Sequence, residues 1–241
     1  MTRTRRATVA MLLVGLAIFS SLYSTQAILP TLVQNMGLSS TEAAMTVSAA
    51  TGALALCVVP ASILSERFGR GRILLISAVA ATGVGLIVPL AQEGWQLIVV
   101  RGLQGALLSG APATAMAWLS EELDDKALPR AMGLYIAGTS VGGLTGRLIP
   151  TGLVEISTWR WALFGSALVS LAFAITSWLL LPTQRNFRPK SIHLKTESRA
   201  LLGHWANRDL ALLFLTAFLS MGTFVSMYNF LTCLLYTSPS P

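Results

Sequence analysis

Long runs without charged side chains alternate with short polar segments along the chain. Residues 7–29 contain no Asp, Glu, Lys or Arg, and these 23 residues in an α-helix would extend about 34 Å, enough to cross the hydrocarbon core of a bilayer. A helix on the surface of a soluble protein would carry charge on its outer face. The pattern therefore predicts an all-α integral membrane protein. Its seven predicted spans are 7–30, 43–64, 73–91, 95–117, 131–153, 161–181 and 209–231.

The polar segments divide the seven spans into six and one. Connections within the first six are short, whereas residues 182–208 form a longer polar and basic segment. This order is typical of carriers whose two six-helix halves are joined inside the cell. We predict a six-helix bundle over 1–181, a cytoplasmic linker over 182–208 and, at 209–231, the first helix of a second half that this sequence lacks. Residues 233–241 are interpreted as a non-native tail and the sequence as a fragment.

Positive charge is concentrated in alternate loops. Only 11% of the side chains are charged, against about 25% in an average soluble protein, and the net charge is +7. Of the 17 Lys and Arg residues, 14 fall in loops on one side of the predicted membrane, and the opposite loops hold Arg160 alone. Because basic loops remain in the cytoplasm, the N-terminus is predicted inside the cell, and the charge indicates topology rather than nucleic-acid binding. The fourteen are Arg3, Arg5, Arg6, Arg67, Arg70, Arg72, Lys126, Arg130, Arg185, Arg188, Lys190, Lys195, Arg199 and Arg208.

Residues suited to catalysis or metal binding are few. The two cysteines, Cys57 and Cys233, are far apart, and both histidines, His193 and His204, fall in the predicted linker. The first six predicted spans contain no acidic residue, so hydrolysis inside the membrane would lack a general base. The sequence has no phosphate-binding Gly-x-x-x-x-Gly-Lys loop either. We therefore expect neither an enzyme nor a primary pump, and no metal or cofactor.

The segment between the second and third spans reads Ser62-Ile-Leu-Ser-Glu-Arg-Phe-Gly-Arg-Gly-Arg72. A glycine there permits a tight turn, and opposite charges at a helix end favour one arrangement of the helices. The segment resembles the signature loop of the major facilitator superfamily, although Ser62, Glu66 and Gly71 replace its usual glycine, aspartate and basic residue. The resemblance implies a conformational gate on the cytoplasmic side; a basic loop without a switching role is the alternative. The predicted gate residues are Leu64, Ser65, Glu66, Arg67, Gly69, Arg70 and Arg72.

Two arginines lie within the predicted spans, where a charge is costly and marks a candidate functional site. Arg101 shares a helix face with Gln104 and Gly105, and this group resembles the second motif of the same superfamily, whose arginine is linked to proton movement. Arg147 has no acidic neighbour in sequence and must face water, substrate or a partner elsewhere in the bundle. Snorkelling to the outer surface is the alternative for both arginines.

Glycines recur at helical spacing in the fifth span. Gly138, Gly142 and Gly146 lie on one face, which would let another helix pack against nearly bare backbone. The run resembles the antiporter signature of the superfamily, with Gly143 in place of its proline and Arg147 in place of its last glycine. The resemblance implies export in exchange for another solute. The predicted helix-packing residues are Gly105, Gly138, Gly142, Gly143 and Gly146.

The first span is polar near its end but carries no charge there. Tyr23 and Gln26 are three residues apart and therefore lie on one side of a helix. Exporters that this sequence resembles often have an aspartate about nine residues before the closing proline, and counting back from Pro30 gives Ser21. A proton acceptor is therefore expected in the missing half or at a helix end. The predicted substrate and proton pathway residues are Tyr23, Gln26, Arg101, Gln104 and Arg147.

Further matches extend along most of the chain to about residue 230. They include Leu119-Ser-Glu-Glu122, Arg160-Trp161 and Asn186-Phe-Arg-Pro189. Together they resemble the bacterial branch of inner-membrane carriers tied to acriflavine sensitivity, within the drug-exporter group. The resemblance implies twelve helices and a bacterial inner membrane. We also hypothesise that Glu121 or Glu122 pairs with Arg70 or Arg72.

A proton-coupled exporter of small organic molecules, working by alternating access, is the leading functional hypothesis. An importer of a sugar or anionic metabolite on the same fold is the nearest alternative, because Arg147 would suit an anion. A membrane scaffold or sensor that transports nothing is a third hypothesis. The implied partners are a small-molecule substrate, protons, the lipid bilayer and the missing C-terminal half, with no nucleic acid.

Overall fold

The computed structural model describes residues 2–187, 189, 203 and 206–237, with the backbone alone at 224–226 and 228–237. Among these residues every regular element is a helix, which confirms the all-α fold class. The chain divides into two compact units, residues 1–190 and 191–241. The first contains α1 (Arg3–Tyr23), α2 (Leu29–Met36), α3 (Ser40–Phe68), α4 (Arg70–Gly85), α5 (Gly94–Leu108), α6 (Gly110–Glu122), α7 (Leu128–Ile156) and α8 (Trp159–Leu180), with 3-10 turns at Gln26–Ile28 and Val88–Leu90.

The second unit contains one long helix, α9 (Arg208–Thr237). Asn207 begins it, because its side-chain Oδ1 accepts a hydrogen bond from the Asp209 backbone N–H at 3.0 Å. The helix continues six residues past the end predicted at 231. Much of the predicted linker lies outside the described residues, as do residues 238–241 of the predicted tail.

Four helical stretches of the described chain are long and apolar enough to cross a membrane. The fourth predicted span does not qualify, because it is divided into α5 and α6 at Ser109 and each part is short. The fifth, α7, has 29 residues, but its glycines, threonines and arginines make it less apolar. The chain is a multi-pass membrane protein. The four stretches are Arg3–Met36, Ser40–Phe68, Arg70–Leu90 and Trp159–Leu180.

The first span is broken, whereas the sequence predicts one continuous helix over 7–30. After α1 ends at Tyr23, a 3-10 turn follows and α2 begins at Leu29. Pro30 fits the first turn of α2, where the missing N–H has no partner to lose. Before it, the Ser24 hydroxyl donates to the Ser21 carbonyl at 3.0 Å, a local bond that competes with regular helix geometry. Hydropathy alone does not register these features, so the break was missed.

Helix α1 lies at the centre of the first unit and packs mainly against α7 and α8. Gly142 and Gly146 make this contact close: a Cβ atom added to Gly142 would lie 2.8 Å from the Gly15 carbonyl oxygen, and one added to Gly146 would lie 2.5 Å from that of Ser20. Gly138 contacts Leu12 of α1 in the same way. The glycine face of the fifth span is therefore the surface on which the first span packs.

Candidate functional site

The break at the end of α1 is held by Arg101 of α5. This side chain is fully buried. Its Nη1 donates to the Ser21 carbonyl at 3.1 Å and its Nη2 to the Leu22 carbonyl, while Nε donates to the Thr46 carbonyl of α3 at 3.4 Å. The last carbonyls of a helix have no partner within the helix and carry partial negative charge. Arg101 supplies both the missing donors and a positive charge.

Gln104 completes this arrangement one helical turn after Arg101. Its Oε1 accepts from Arg101 Nη1 at 2.6 Å, and its Nε2 donates to the Ser21 hydroxyl at 2.8 Å and to the Ala81 carbonyl of α4 at 3.2 Å. The two side chains predicted to share a face of the fourth span therefore do so, and they contact α1, α3 and α4. Snorkelling of Arg101 to the outer surface is excluded by its complete burial.

Arg147 of α7 contacts the same break through different atoms. Its Nε donates to Gln26 Oε1 at 3.1 Å and its Nη1 to the Gly143 carbonyl at 2.7 Å. The guanidinium carbon lies 4.1 Å from the centre of the Tyr23 ring, a cation–π contact. Tyr23, Gln26 and Arg147 were predicted from two distant segments, and the structure brings them together. Gly143 faces this group, since a Cβ added there would meet Arg147 and Tyr23 rather than backbone.

Two guanidinium groups therefore meet one helix break, which we call the α1 break (residues 21–28, the last residues of α1 and its connection to α2). Arg101 binds the carbonyls of Ser21 and Leu22, and Arg147 binds the side chains of Tyr23 and Gln26. A positive charge, an aromatic ring and an amide are thus fixed within the span at a place where the helix backbone is already interrupted. Such a group is able to bind polar or anionic molecules inside a membrane protein.

Residues 62–72, which we call the signature loop, lie at one end of the bundle. Arg3 and Glu121 lie at the same end, and we call it the basic end. Gly69 between α3 and α4 has φ +102°, a conformation that only glycine adopts without strain. Arg70 Nε contacts Glu121 Oε1 at 2.7 Å, and Arg70 Nη2 contacts Glu66 Oε1 at 3.6 Å. One of the hypothesised pairings is therefore formed, between Arg70 and Glu121.

The remaining predicted gate residues have different surroundings. Ser65 is fully buried, and its hydroxyl donates to the Ser62 carbonyl at 2.6 Å. Leu64 is about half exposed, and the Arg67 guanidinium lies 5.5 Å from the ring centre of Phe68. Arg72 is in the first turn of α4. The loop thus exposes Arg67 and Arg72, while Glu66 and Arg70 are partly buried and one small hydroxyl lies inside.

Among the described residues, Glu122 pairs with Arg3 and not with Arg70 or Arg72, the partners hypothesised from the sequence. Its side chain is 1% exposed and forms an ion pair with Arg3. The same carboxylate accepts backbone N–H groups of Arg185 and Asn186 at 2.8 and 2.7 Å. Beside it, Gln184 accepts from the Gly71 N–H at 3.2 Å and donates to Glu121 at 3.1 Å. The chain after the sixth span is thereby attached to the signature loop. These residues are far apart in the sequence, and no sequence pattern indicated that they would meet.

The neighbouring acids give a matched test of this arrangement. We expect Glu122→Gln to lower the free energy of unfolding by about 2 kcal/mol, because a buried carboxylate with charged and backbone donors is lost. Glu121→Gln should cost less than about 1 kcal/mol, because that side chain is 31% exposed. Thermal unfolding in detergent and the rate of tryptic cleavage after Arg5 would measure both variants. Equal effects would contradict the special position of Glu122.

Comparison with known proteins shows similarity to membrane transporters. Residues 11–239 match a family model described as Major Facilitator Superfamily. The chain is 37% identical over 234 residues to the inner membrane transport protein YnfM of Escherichia coli, covering 97% of this chain and 56% of that protein. It is 33% identical over 235 residues to YybF of Bacillus subtilis, described as an uncharacterized MFS-type transporter, covering 98% of this chain and 58% of that protein.

A more distant similarity involves a transporter with a named substrate. The chain is 28% identical over 160 residues to the gallate transporter of Pseudomonas putida, covering 66% of this chain and 36% of that protein. The chain thus spans just over half the length of YnfM and YybF and a smaller share of the gallate transporter.

Proposed function

The chain belongs to the Major Facilitator Superfamily, and from that premise we propose that it forms the N-terminal half, with one further helix, of a secondary active transporter. The family and the relatives named above are transporters rather than enzymes. The partner of this half is a second six-helix half, and the substrate pathway lies between the two. The proposal rests chiefly on the two arginines that converge on the α1 break.

The α1 break suits a carrier that alternates between two conformations. A helix interrupted at Tyr23–Leu29 bends there at low cost, since its backbone bonds are already replaced by side-chain donors. Hydrogen bonds from Arg101 and Arg147 fix the relative positions of the first, fourth and fifth spans. At the basic end, the Arg70 ion pairs add small terms that together bias an equilibrium between two states. The residues of the signature loop are therefore assigned to the gate.

The proposed transport is proton-coupled export of small organic molecules, with the chain placed in the drug-exporter group near the acriflavine-sensitivity branch. The glycine face of α7 supports this assignment, because it resembles the antiporter signature and forms the contact with α1. Ser21 occupies the position at which many exporters have an aspartate. Proton binding is therefore assigned to the second half or to carboxylates at helix ends such as Glu66.

The proposed location is the bacterial inner membrane, with the basic end and the N-terminus in the cytoplasm. The asymmetry of Lys and Arg between alternate loops supports this orientation. Single cysteines introduced in the loops 67–72 and 155–160 should react with a membrane-impermeant reagent from opposite sides. Labelling of both from the same side would overturn the topology.

Dye export provides the functional test, and the chain offers a matched control. Cells expressing the complete coding sequence should export an acridine dye, and a proton uncoupler should abolish export. Arg147→Gln should reduce the rate at least about 10-fold, because the variant loses a charge inside the membrane. Arg160→Gln should have little effect, since this guanidinium also contacts a carbonyl (Ala91) and an aromatic ring (Trp159) but is exposed, at the start of α8. An equal loss of transport rate in both variants would contradict the assignment of Arg147 to the substrate pathway.

Uptake of an organic anion is the second candidate, favoured by the position of Arg147 against Tyr23. A cation beside an aromatic ring suits a carboxylate attached to a ring, and one relative is named as a gallate transporter. Accumulation of a labelled aromatic carboxylate in right-side-out vesicles, driven by a proton gradient, would support uptake. Dye export without such accumulation would support the exporter, and correct insertion with neither activity would favour the scaffold or sensor hypothesis.

A further inference from the structure

A small cavity with about 10 Å³ of space for the centre of a water molecule, roughly the room that one water needs, lies beside the end of α1. Residues of α1, α4, α5 and α8 contribute to its walls, together with Ser24 and Val88 from the connecting turns. Five of the nine lining residues have polar side chains, although the surrounding spans are apolar. The five are Ser21, Ser24, Gln104, Ser166 and Ser170.

Ser166 has an unusual position in this cavity. It is fully buried, and its hydroxyl oxygen has no hydrogen-bond partner among the described residues. A buried hydroxyl without a partner is unfavourable, and most such groups in folded proteins are satisfied by protein or by ordered water. Because Ser166 lines the cavity, the missing partner has room there.

The other hydroxyl groups of the cavity still have unused hydrogen-bonding capacity. Ser21 Oγ accepts from Gln104 Nε2 at 2.8 Å and retains its own proton to donate. Ser24 donates to the Ser21 carbonyl, and Ser170 donates to the Ser166 carbonyl, both at 3.0 Å. Ser170 Oγ also lies 3.2 Å from Ser20 Oγ, and this contact uses one of its two lone pairs. The oxygen of Ser24 therefore retains both lone pairs and that of Ser170 retains one. The walls thus offer both donors and acceptors.

We propose that this cavity is a water-binding site, with Ser166 as a direct partner of the water. A water molecule donates two hydrogen bonds and accepts two, which matches walls that offer both donors and acceptors. A cation is disfavoured because Gln104 already accepts from Arg101 at 2.6 Å, and an anion is disfavoured by the lone pairs of Ser24 and Ser170. The bound water extends the hydrogen bonds of Arg101, Gln104 and Ser21 to α8. The first, fourth and sixth spans are thereby joined through one polar network, independently of substrate or direction of transport.

X-ray radiolytic labelling of the unmodified full chain in detergent tests the water directly. Ionisation of a bound water produces hydroxyl radicals in place, which modify neighbouring side chains. Leu163 lines the cavity and is 2% exposed, whereas Leu97 in the same unit is 0% exposed and is not among its lining residues. Leu163 should be labelled several-fold faster than Leu97. Equal rates would overturn the proposal.

A pair of serine substitutions on α8 tests the role of Ser166. Ser166→Ala removes one partner of the water, whereas the control Ser177→Ala removes a buried hydroxyl that donates to Ala174 of its own helix at 2.7 Å. Both variants gain the same helix propensity from alanine. We expect the midpoint of thermal unfolding to be about 2–4 °C lower for Ser166→Ala than for Ser177→Ala. A midpoint for Ser166→Ala equal to the control, or higher, would contradict the proposal, because alanine would then have removed an unpaired hydroxyl from a dry cavity.

Discussion

Replacement of Arg101 by methionine is expected to lower the free energy of unfolding of the helical bundle by about 3 kcal/mol or more. Methionine has a similar length but donates no hydrogen bonds. The Leu22 carbonyl and the amide oxygen of Gln104 would then lose their donor, and the Ser21 carbonyl would keep only the Ser24 hydroxyl. Removing the buried charge recovers part of its desolvation cost, but oxygens left without donors in a membrane interior outweigh that gain.

Lysine at the same position separates charge from geometry. Arg101→Lys keeps the positive charge, but one ammonium group does not reach carbonyls of α1 and α3 at the same time. Unfolding by SDS or heat should therefore rank the wild type first, lysine second and methionine last. Arg160→Met serves as control, because Arg160 is exposed at the start of α8 and its partner, the Ala91 carbonyl, lies in a loop rather than at a helix break. A methionine variant as stable as the wild type would show that Arg101 does not hold the α1 break.

Enlargement of Gly142 should have an effect of similar size by a different mechanism. Gly142→Ala is expected to lower the free energy of unfolding by about 1–3 kcal/mol, because the new Cβ atom would lie 2.8–2.9 Å from backbone atoms of Gly15 and Leu16. Backbone atoms in a packed helix pair do not move aside as the end of a flexible side chain does. Gly142→Leu should prevent the packing of α1 on α7 altogether, measurable as loss of a folded peak in gel filtration.

Two other glycines of α7 provide controls at which alanine should not lower the stability. A Cβ atom added to Gly133 or Gly152 meets nothing within 4 Å, and alanine is favoured over glycine inside a helix by about 0.5–1 kcal/mol. Gly133→Ala and Gly152→Ala should therefore leave thermal stability unchanged or raise it. Destabilisation by all three alanine variants would indicate a general intolerance of α7 rather than close contact at Gly142.

Part of the candidate site was visible in the sequence because its chemistry is local. An arginine within an apolar run requires a partner wherever it lies, so Arg101 and Arg147 were identified without knowledge of that partner. Helical spacing likewise grouped Arg101 with Gln104 and placed Gly138, Gly142 and Gly146 on one face. The partners themselves were not visible. Arg101 binds carbonyls about 80 residues earlier in the chain, and backbone carbonyls leave no mark in a sequence.

The helix breaks also show which features the sequence predicts and which it does not. Hydropathy located the first and fourth spans but predicted continuous helices, whereas the structure interrupts them at Tyr23–Leu29 and at Ser109. Hydropathy measures transfer of side chains into lipid, and a short interruption changes that sum very little. Whether backbone groups at an interruption are tolerated depends on donors from neighbouring helices, which a one-dimensional pattern does not contain.

The sequence by itself determined that the chain crosses a membrane, because lipid selects for apolar side chains one span at a time. It also determined which charged residues stand within the spans and which glycines share a face. The tertiary structure decided what those residues contact: the α1 break for both arginines, α1 for the glycine face, and Arg3 for Glu122. The physical reason is that burial in lipid is set by each segment alone, whereas hydrogen bonds and close packing join segments that only the folded bundle brings together.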